Sequence, residues 1–249
     1  MSDAAYQLVM PDARTTSVIF ASPHSGRDYP AAFLRSAVLS AQEIRSSEDA
    51  FVDLLYADAP RFGAPLLTAN APRAYLDLNR GPQEMDAGLI EGVRRVSQNP
   101  RVASGLGVVP RVVAGGRSIY KGKISLAEAH HRITRFWHPY HAALQALIDE
   151  SHSGFGQAIL IDCHSMPHEA LVNIRTGGGA RPDVVLGDRF GGPSRKQHAV
   201  QIEIDRALYM NEATLEVNDN FAPLRALLSG VMSEITELGR ETDTALAAQ

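Results

Sequence analysis

The sequence contains a single cysteine among its 249 residues, and this scarcity excludes several kinds of site. Cys163 can form no disulfide within the chain, and a structural zinc site built from cysteines is excluded by the same count. The N-terminal stretch MSDAAYQLVMPDARTTS has acidic residues and no sustained apolar core, so it does not resemble a secretory signal. We therefore expect a protein of the reducing cytoplasm.

Long apolar runs and clusters of basic residues are also missing. No segment approaches the roughly 20 apolar residues that span a bilayer, so no membrane partner is expected. The formal net charge is −4, whereas a domain that binds nucleic acid is basic with clustered Lys and Arg. No nucleic-acid partner is therefore expected, and the 45% hydrophobic and 21% charged residues are typical of a globular protein. The oligomeric state is left open.

Short apolar runs that end in polar residues alternate with helical patterns along the chain. Strands are predicted for SVIFAS, APLLTAN, AYLDLNR, QAILIDCHS, DVVLGD and HAVQIEID. Helices are predicted over residues 46–59, 126–148 with an interruption at Pro139, and 221–238. This alternation predicts an α/β sandwich with a mixed, largely parallel sheet. With no repeat and no low-complexity linker, residues 1–249 are interpreted as one domain.

Two histidines stand where predicted strands end, which is where ligands bind in α/β folds. His24 follows SVIFASP, and His164 follows ILIDC. Two histidines and one carboxylate make the open zinc site of many hydrolases, and Glu48 or Asp49, at a predicted helix start, could supply the carboxylate. The alternative is that each histidine only caps a strand or forms a hydrogen bond in the core.

A second polar cluster lies in PRAYLDLNR. A guanidinium binds a carboxylate through two hydrogen bonds, so Arg80 could hold a substrate carboxylate, with Asn79 as a further donor or acceptor. Arg73 could face a carbonyl oxygen on which charge develops. The alternative is a strand end at which Asp77 pairs with a neighbouring arginine.

Glu203 stands between two isoleucines in VQIEID, so it projects from the face opposite to theirs. A lone carboxylate there could activate a metal-bound water and then protonate a leaving amine. The alternative is an ordinary solvent-facing glutamate on an edge strand.

Other chemistries fit less well. There is no G-x-S-x-G motif of a serine esterase. Cys163 cannot readily use His164 as its base, since adjacent strand residues point to opposite faces. The histidines of the HPYHAAL helix lack a carboxylate on their face, so we interpret them as packing, surface or substrate-wall residues.

Seven stretches in a fixed order resemble the N-formylglutamate amidohydrolase family. They run from near residue 17 to about 210 and are PHSG, EDAFVDLLY, DLNR, the helix with HPYHAAL, LIDCHSMP, PDVVLGDRFG and HAVQIEIDRALYM. PHSG or DLNR alone would be weak evidence for this family, but the seven stretches in this order are a specific match to it. The family is similar in layout to the zinc carboxypeptidases and aspartoacylases, which implies a three-layer α/β sandwich of the zinc-exopeptidase type.

The resemblance implies one zinc ion, bound by His24, His164 and, at the position that matches the family's aspartate, Asp49. Carboxypeptidases take this carboxylate from H-x-x-E, but Arg27 stands at that place here. By the same resemblance, Asn79 and Arg80 bind the substrate carboxylate, Glu203 is the catalytic glutamate and Arg73 faces the oxyanion. The reaction implied is hydrolysis of N-formyl-L-glutamate to formate and glutamate, so the partner implied is a small-molecule acyl-amino-acid substrate.

One departure from the family lies between DRFG and HAVQIEI. Family members carry a longer Gly-rich, Thr-containing loop near the substrate there, but this sequence has only GPSRKQ at residues 192–197. Either the protein has lost that loop or the sequence omits a segment of it. Two other functions therefore stay open. One is a zinc hydrolase of another acyl-amino acid or of a peptide, and the other is a binding protein that has lost catalysis.

Overall fold

Six strands form the central sheet of the computed structural model, which describes residues 4–93, 99–173, 181–188 and 197–240. The strands are β1 (Tyr6–Val9), β2 (Val18–Ser22), β3 (Leu66–Ala69), β4 (Ala158–Met166), β5 (Val184–Asp188) and β6 (Gln197–Asp205). Their order across the sheet is β1-β3-β2-β4-β6-β5. A two-stranded ribbon of β7 (Met210–Asn211) and β8 (Glu216–Val217) lies apart from it.

The four inner strands run parallel, and each edge strand runs antiparallel to its neighbour. The carboxyl ends of β2, β4 and β6 therefore meet at one edge of the sheet, where α/β folds bind their ligands. β4 and β6 are paired over nine residues, and this register sets His164 beside Glu203. The prediction of an α/β fold with a mixed, largely parallel sheet is confirmed.

Helices pack on both faces of the sheet and make it the middle of three layers. They are α1 (Ala31–Ser36), α2 (Val52–Leu55), α3 (Pro100–Ala103), α4 (Leu126–Arg132), α5 (His138–Phe155) and α6 (Phe221–Glu237). One face buries Ile19 and Leu67 together with residues of α4 and α5. The other buries Phe20 and Ile202 with residues of α2 and α6. Within the described ranges, none of the helices combines the length and the apolar character that crossing a bilayer requires.

The predicted helix over 126–148 is longer than expected and does not stop at Pro139. A widened turn (Ile133–Trp137) joins α4 to α5, and Pro139 then lies in the first turn of α5. Proline has no N–H to donate and its ring crowds the preceding turn, so a widened turn directly before it relieves both problems. The helix ends at Phe155, where Gly156 adopts the left-handed conformation typical of a helix end.

The prediction of a helix over residues 46–59 is wrong. A 3₁₀ turn (Glu43–Ser47) comes first, and α2 follows as a single turn. Between them Phe51 has a φ of 65°, a left-handed conformation that no helix continues through. The chain leaves the helical path at Glu48, whose backbone is extended, and Asp49 therefore lies in a loop between the two helical turns.

The prediction of a strand for AYLDLNR is also wrong, because residues 74–80 form successive turns. The carboxylate of Asp77 accepts a hydrogen bond from the Asn79 backbone N–H at 2.9 Å, which closes a turn of the Asx type. The predicted helix over 221–238 is confirmed as α6.

Candidate metal centre

His24, Asp49 and His164 lie together at the carboxyl end of the parallel strands. His24 comes two residues after β2, His164 lies near the end of β4, and Asp49 comes from the loop before α2. All three side chains are buried, and one possible ligand atom from each lies within 4.8 Å of the other two. Of the two carboxylates that the sequence offered, the structure brings Asp49 to the histidines. Glu48 instead accepts two hydrogen bonds from the guanidinium of Arg45.

The ring nitrogens of the two histidines face the same carboxylate oxygen. Asp49 Oδ2 lies 2.8 Å from His164 Nδ1 and 3.5 Å from His24 Nδ1. His24 Nδ1 is buried and has no hydrogen-bond partner among the residues that the structure describes, which is uncommon for a polar atom inside a protein. Two imidazole nitrogens and one carboxylate oxygen are a donor set that leaves a coordination position open. The group therefore fits a metal ion.

The far side of each of these groups is held by another side chain, buried for Asp77 and Arg206 and partly buried for Asp162. His24 Nε2 lies 2.8 Å from Asp77 Oδ1, and His164 Nε2 lies 3.0 Å from Asp162 Oδ2. Asp49 Oδ1 accepts a hydrogen bond from Arg206 Nη2 at 2.9 Å. Carboxylates behind ligating histidines fix the ring orientation and leave the other nitrogen for the ion.

Two of these supporting residues, Asp162 and Arg206, are not among the sequence-predicted ones. Asp162 stands two residues before His164 in β4, and side chains two apart in a strand lie on the same face. The alternation of the strand could therefore have identified Asp162 from the sequence. Arg206 lies 157 residues from Asp49, and nothing in the sequence links the two.

Close backbone contacts hold the loop that carries His24. A Cβ atom on Gly26 would lie 2.2 Å from the backbone oxygen of Ala71, so only glycine fits there. The backbone N–H of Asp49 donates to the carbonyl of His24 at 3.0 Å. The glycine of PHSG therefore allows the close packing of the loop that carries His24.

The pKa values reflect this crowding of opposite charges. Burial lowers the pKa of His164, but the carboxylates of Asp162 and Asp49 outweigh burial and raise the pKa to about 10. Burial raises the pKa of Asp77, yet His24 and Arg73 outweigh it and hold that pKa well below its usual range. The site is thus built to keep its aspartates ionised.

A cavity of about 350 Å³ opens above the two histidines. It is lined by His24, Arg73, Asn79, Arg80, Arg101, Leu106, His164, Gln201 and Glu203. A neighbouring cavity of about 390 Å³ shares Arg73, Leu106 and Glu203 with it. The predicted residues of all three sequence clusters thus reach one cavity, with Asp49 buried beside its histidines.

Glu203 faces this cavity and is partly buried. Its Oε1 accepts a hydrogen bond from Gln201 Nε2 at 2.7 Å. Burial raises the pKa of Glu203, and the charge of Asp49 adds to the effect, whereas His164 and Arg73 oppose it. A carboxylate with a raised pKa is suited to take up and release a proton.

The side chains of the DLNR turn form one wall of the cavity. Arg73 Nε donates to Asp77 Oδ2 at 3.1 Å, and Arg80 Nε lies 3.9 Å from the same oxygen. The Asn79 side-chain amide donates to Asp162 at 3.1 Å, so its nitrogen is engaged inside the wall. Asp77 therefore pairs with Arg73, as the alternative interpretation of this segment predicted, and Arg73, Asn79 and Arg80 nevertheless line the cavity.

The structure also shows where His141 and Cys163 lie, two residues to which the sequence analysis gave no catalytic role. His141 lines a separate cavity of about 340 Å³, whose wall includes Asn79 and Arg80. Cys163 is buried in the hydrophobic cluster on the opposite face of the sheet from His164. The short GPSRKQ segment lies outside the described residues except for Gln197.

The model of the N-formylglutamate amidohydrolase family matches residues 16–195. This range contains the two histidines, Asp49 and the DLNR turn, and it is most of the chain. The chain belongs to this family. The resemblance found in the ordered stretches is confirmed, and so is the prediction of an amide-bond hydrolase.

Two curated N-formylglutamate deformylases are similar over most of their length. The alignment with the one from Pseudomonas putida is 233 positions long with 26% identity, and it covers 78% of this chain and 82% of that protein. The alignment with the one from Pseudomonas aeruginosa is 265 positions long, gaps included, with 25% identity, and it covers 90% of this chain and 94% of that protein.

Two solved structures share the fold. The crystal structure of N-formylglutamate amidohydrolase from Ralstonia eutropha JMP134 has a TM-score of 0.87 and 31% identity, and the match covers 95% of this chain and 98% of that one. A gene product of Agrobacterium tumefaciens matches with a TM-score of 0.64 at 14% identity, which shows the fold alone.

Proposed function

We propose that this chain hydrolyses N-formyl-L-glutamate to formate and glutamate with one zinc ion bound by His24, Asp49 and His164. The observation that carries the proposal is the orphaned His24 Nδ1, which faces the same carboxylate oxygen as His164 Nδ1 beneath a cavity lined by Glu203. Family membership and the names of the Pseudomonas relatives support this substrate over other acyl-amino acids.

Zinc fits the donor set because it commonly takes three protein ligands of nitrogen and oxygen and keeps a fourth position open. Other divalent ions bind the same set of ligands, and measuring the metal content of the purified protein distinguishes zinc from them. When bound, zinc supplies a Lewis acid that polarises the substrate carbonyl and lowers the pKa of water. The remaining chemistry falls to side chains of the chain itself.

Glu203 is the proton carrier of the proposed reaction. Its carboxylate takes a proton from the attacking water, whose oxygen bonds to the formyl carbon. The C–N bond then breaks, and Glu203 returns the proton to the departing nitrogen, which leaves as the amino group of glutamate. The register of β4 and β6 places Glu203 beside His164, so proton transfer occurs next to the metal centre.

Arg73 and Arg80 act on the two ends of the substrate. Arg73 stabilises the negative charge that develops on the formyl oxygen, a task for a donor that is held in place before the reaction. Arg80, beside Asn79, holds a carboxylate of the glutamate portion. Asp77 fixes the guanidinium of Arg73 through a hydrogen bond of 3.1 Å, so Arg73 does not reorganise during the reaction.

Replacing Glu203 with glutamine tests this function. Glu203→Gln keeps the size and removes the proton carrier, so we expect one zinc per chain and a kcat lower by about 10²–10⁴-fold. Formate release and metal content are measured on the same preparation. Glu234→Gln on the exposed side of α6 is the control and should match wild type. Full turnover in Glu203→Gln would assign the proton transfer to another group.

A substrate panel separates this function from its two rivals. We expect N-formyl-L-glutamate to exceed N-acetyl-L-glutamate, because the relatives are deformylases. Preference for larger acyl groups or peptides would favour the first rival. Binding of N-formyl-L-glutamate to the zinc protein without any turnover would favour the binding protein.

A further inference from the structure

We propose that the cavity of about 390 Å³ beside the metal centre binds an uncharged apolar acyl chain, so that the protein also hydrolyses N-alkanoyl amino acids with chains longer than acetyl. We call it the acyl cavity; it shares Arg73, Leu106 and Glu203 with the cavity above the two histidines. The proposal rests on the proposed function, which fixes the direction in which the substrate lies. It concerns how alkanoyl groups rank among themselves, and the expected preference for formyl over acetyl stands.

The two cavities follow one another along β4 and β6. The cavity above the histidines is lined by Gln201, Glu203 and His164. The acyl cavity is lined by Glu203 and then by residues at the carboxyl ends of the same strands, Met166 and Arg206. A strand advances about 3.3 Å per residue, so the two cavities are offset by several ångströms along the sheet. Glu203 lies where they meet.

The proposed roles place the substrate across this junction. Arg80 holds a carboxylate of the amino-acid part and lines the cavity above the histidines, but it is not among the described residues of the acyl cavity. Arg73 and Glu203 act on the amide bond and line both cavities. The group on the far side of the carbonyl carbon from Arg80 therefore points into the acyl cavity. A formyl group carries only a hydrogen atom there and leaves that space unused.

The wall of the acyl cavity beyond Glu203 is mainly apolar. The apolar side chains belong to Pro110, Val112, Val113, Ala114, Met166 and Pro167. Met166 follows His164 by two residues in β4, so the two share one face of the sheet and the apolar wall begins next to the metal centre. Cavities of roughly 300–1,000 Å³ with such walls are typical sites for small molecules. This wall suits a hydrocarbon chain.

Charged side chains in the acyl cavity are already engaged. Beyond the residues that the two cavities share, its described lining adds two charged groups, Asp77 and Arg206. Asp77 is paired with His24 and Arg73, and each of the three guanidinium nitrogens of Arg206 donates to an oxygen of the chain. A charged acyl group would lose water and find no counter-charge, which is costly. An uncharged chain is therefore favoured over a second carboxylate or the ammonium group of a peptide.

A series of N-acyl-L-glutamates from acetyl to octanoyl tests the proposal on the zinc-loaded protein. Each methylene group that enters the acyl cavity leaves water, so we expect kcat/KM to rise about fourfold per carbon until the cavity is full. The rise should come mainly through KM, because the chain is buried equally before and during the reaction. A flat or falling series, with N-formyl-L-glutamate still hydrolysed, would overturn the proposal and leave the proposed function intact.

Two variants of the wall should change the series in opposite directions. Ala114→Phe, at a partly exposed position, fills the cavity, so we expect acetyl and butanoyl substrates to differ by less than about twofold. Met166→Ala enlarges it and should move the end of the rise to chains one or two carbons longer. The comparison is made within each variant, so a general loss of activity cancels. Ala146→Phe on the exposed side of α5 is the matched control and should keep the wild-type series. The wild-type series in both wall variants would overturn the proposal.

Failure of the proposed function has a different signature. The zinc-loaded wild type would then hydrolyse neither N-formyl-L-glutamate nor any member of the series. Calorimetric binding of the same N-acyl-L-glutamates then decides, because burial of the chain acts on affinity. An affinity that rises with chain length in wild type and not in Ala114→Phe would support the acyl cavity. Equal affinities along the series would overturn it.

Discussion

At the scale of single residues, Asp49 divides its two oxygens between different tasks. Oδ2 faces the histidine nitrogens, and Oδ1 accepts a hydrogen bond from Arg206. Arg206 also donates to Ser165 Oγ and to the backbone oxygen of Ser46. A buried guanidinium that loses its carboxylate is strongly destabilising, so this contact fixes which oxygen remains for an ion. Asp49 therefore offers one oxygen to a metal.

His141 should make the protein sensitive to acid. Burial, with the charge of His138 in addition, lowers the pKa of His141 to about 4. Its folded pKa lies below the unfolded value of about 6.5, so its contribution to stability is present above pH 6.5 and is lost as the pH falls towards 4. Between pH 7.5 and 5 we expect wild type to lose about 1 kcal/mol more unfolding free energy than His141→Gln, after discounting for partial exposure.

Urea denaturation in the presence of a chelator measures this difference without the metal as a variable. His198→Gln, at an exposed position, controls for the loss of a histidine as such. Parallel losses of stability in wild type and His141→Gln would show that His141 takes up its proton as easily in the folded chain as in the unfolded one.

The sequence predicts some site residues and not others for physical reasons. His24 and His164 stand at strand ends, and Glu203 follows from the alternation of its strand, so local pattern suffices for these three. Glu48 and Asp49 are neighbours, and only the path of the chain through these two residues decides which one meets the histidines. That path depends on contacts with His24, 25 residues earlier, which no local pattern reports.

At the scale of elements, the two wrong predictions both fall on segments that serve the site. A regular helix over residues 46–59 would not follow the path by which Asp49 meets the histidines, and the chain accepts a left-handed Phe51 instead. Such strain costs about 1–3 kcal/mol and persists only where surrounding contacts fix it. The DLNR segment likewise gives up strand pairing so that Asp77 can bind His24 and Arg73. Local propensity is overruled at functional sites.

The loop after β2 should not tolerate a larger residue than glycine. In Gly26→Ala the new Cβ would meet the backbone oxygen of Ala71 at 2.2 Å, so the loop with His24 must move. We expect a loss of about 1–3 kcal/mol in unfolding free energy and weaker zinc binding. Denaturation and competition with a chelator measure the two effects.

Gly122→Ala is the control for this loop variant, because a Cβ there has no atom within 4 Å. It should keep wild-type stability and zinc affinity. Wild-type behaviour of Gly26→Ala in both measurements would show that the contact with Ala71 is relieved elsewhere.

At the scale of the whole molecule, the fold was more predictable than the site. Continuous apolar runs indicate β2 and the first half of β4, an alternation of apolar and polar residues indicates β6, and the alternation of strands with helices predicts a parallel sheet. The widened turn before Pro139 was not predicted, because the sequence indicates only that the proline disturbs the helix and not how the backbone accommodates it. Two hydrophobic clusters, one on each face, hold the sheet without help from the site.

Removing the metal should therefore weaken the protein without unfolding it. An ion that binds only the folded chain adds about 2.7 kcal/mol at a free concentration 100 times its dissociation constant. For a protein of this size we expect the chelated form to melt about 5–10 °C lower. Scanning calorimetry measures the shift, and His164→Ala should show none between the zinc and chelator samples. Equal melting of the two wild-type samples would mean that no ion binds at this site.

The dispersion of the three proposed ligands along the chain also has a consequence for biosynthesis. His24 and Asp49 leave the ribosome early, but His164 follows 115 residues after Asp49, in a strand that pairs with β2 on one side and with β6 on the other. A growing chain folds from its N-terminal part, and here that part holds no complete set of the three side chains. Under the proposed function, the nascent chain therefore has no complete metal site until His164 has been synthesised and its strand has paired, so the ion is bound late in translation or after it.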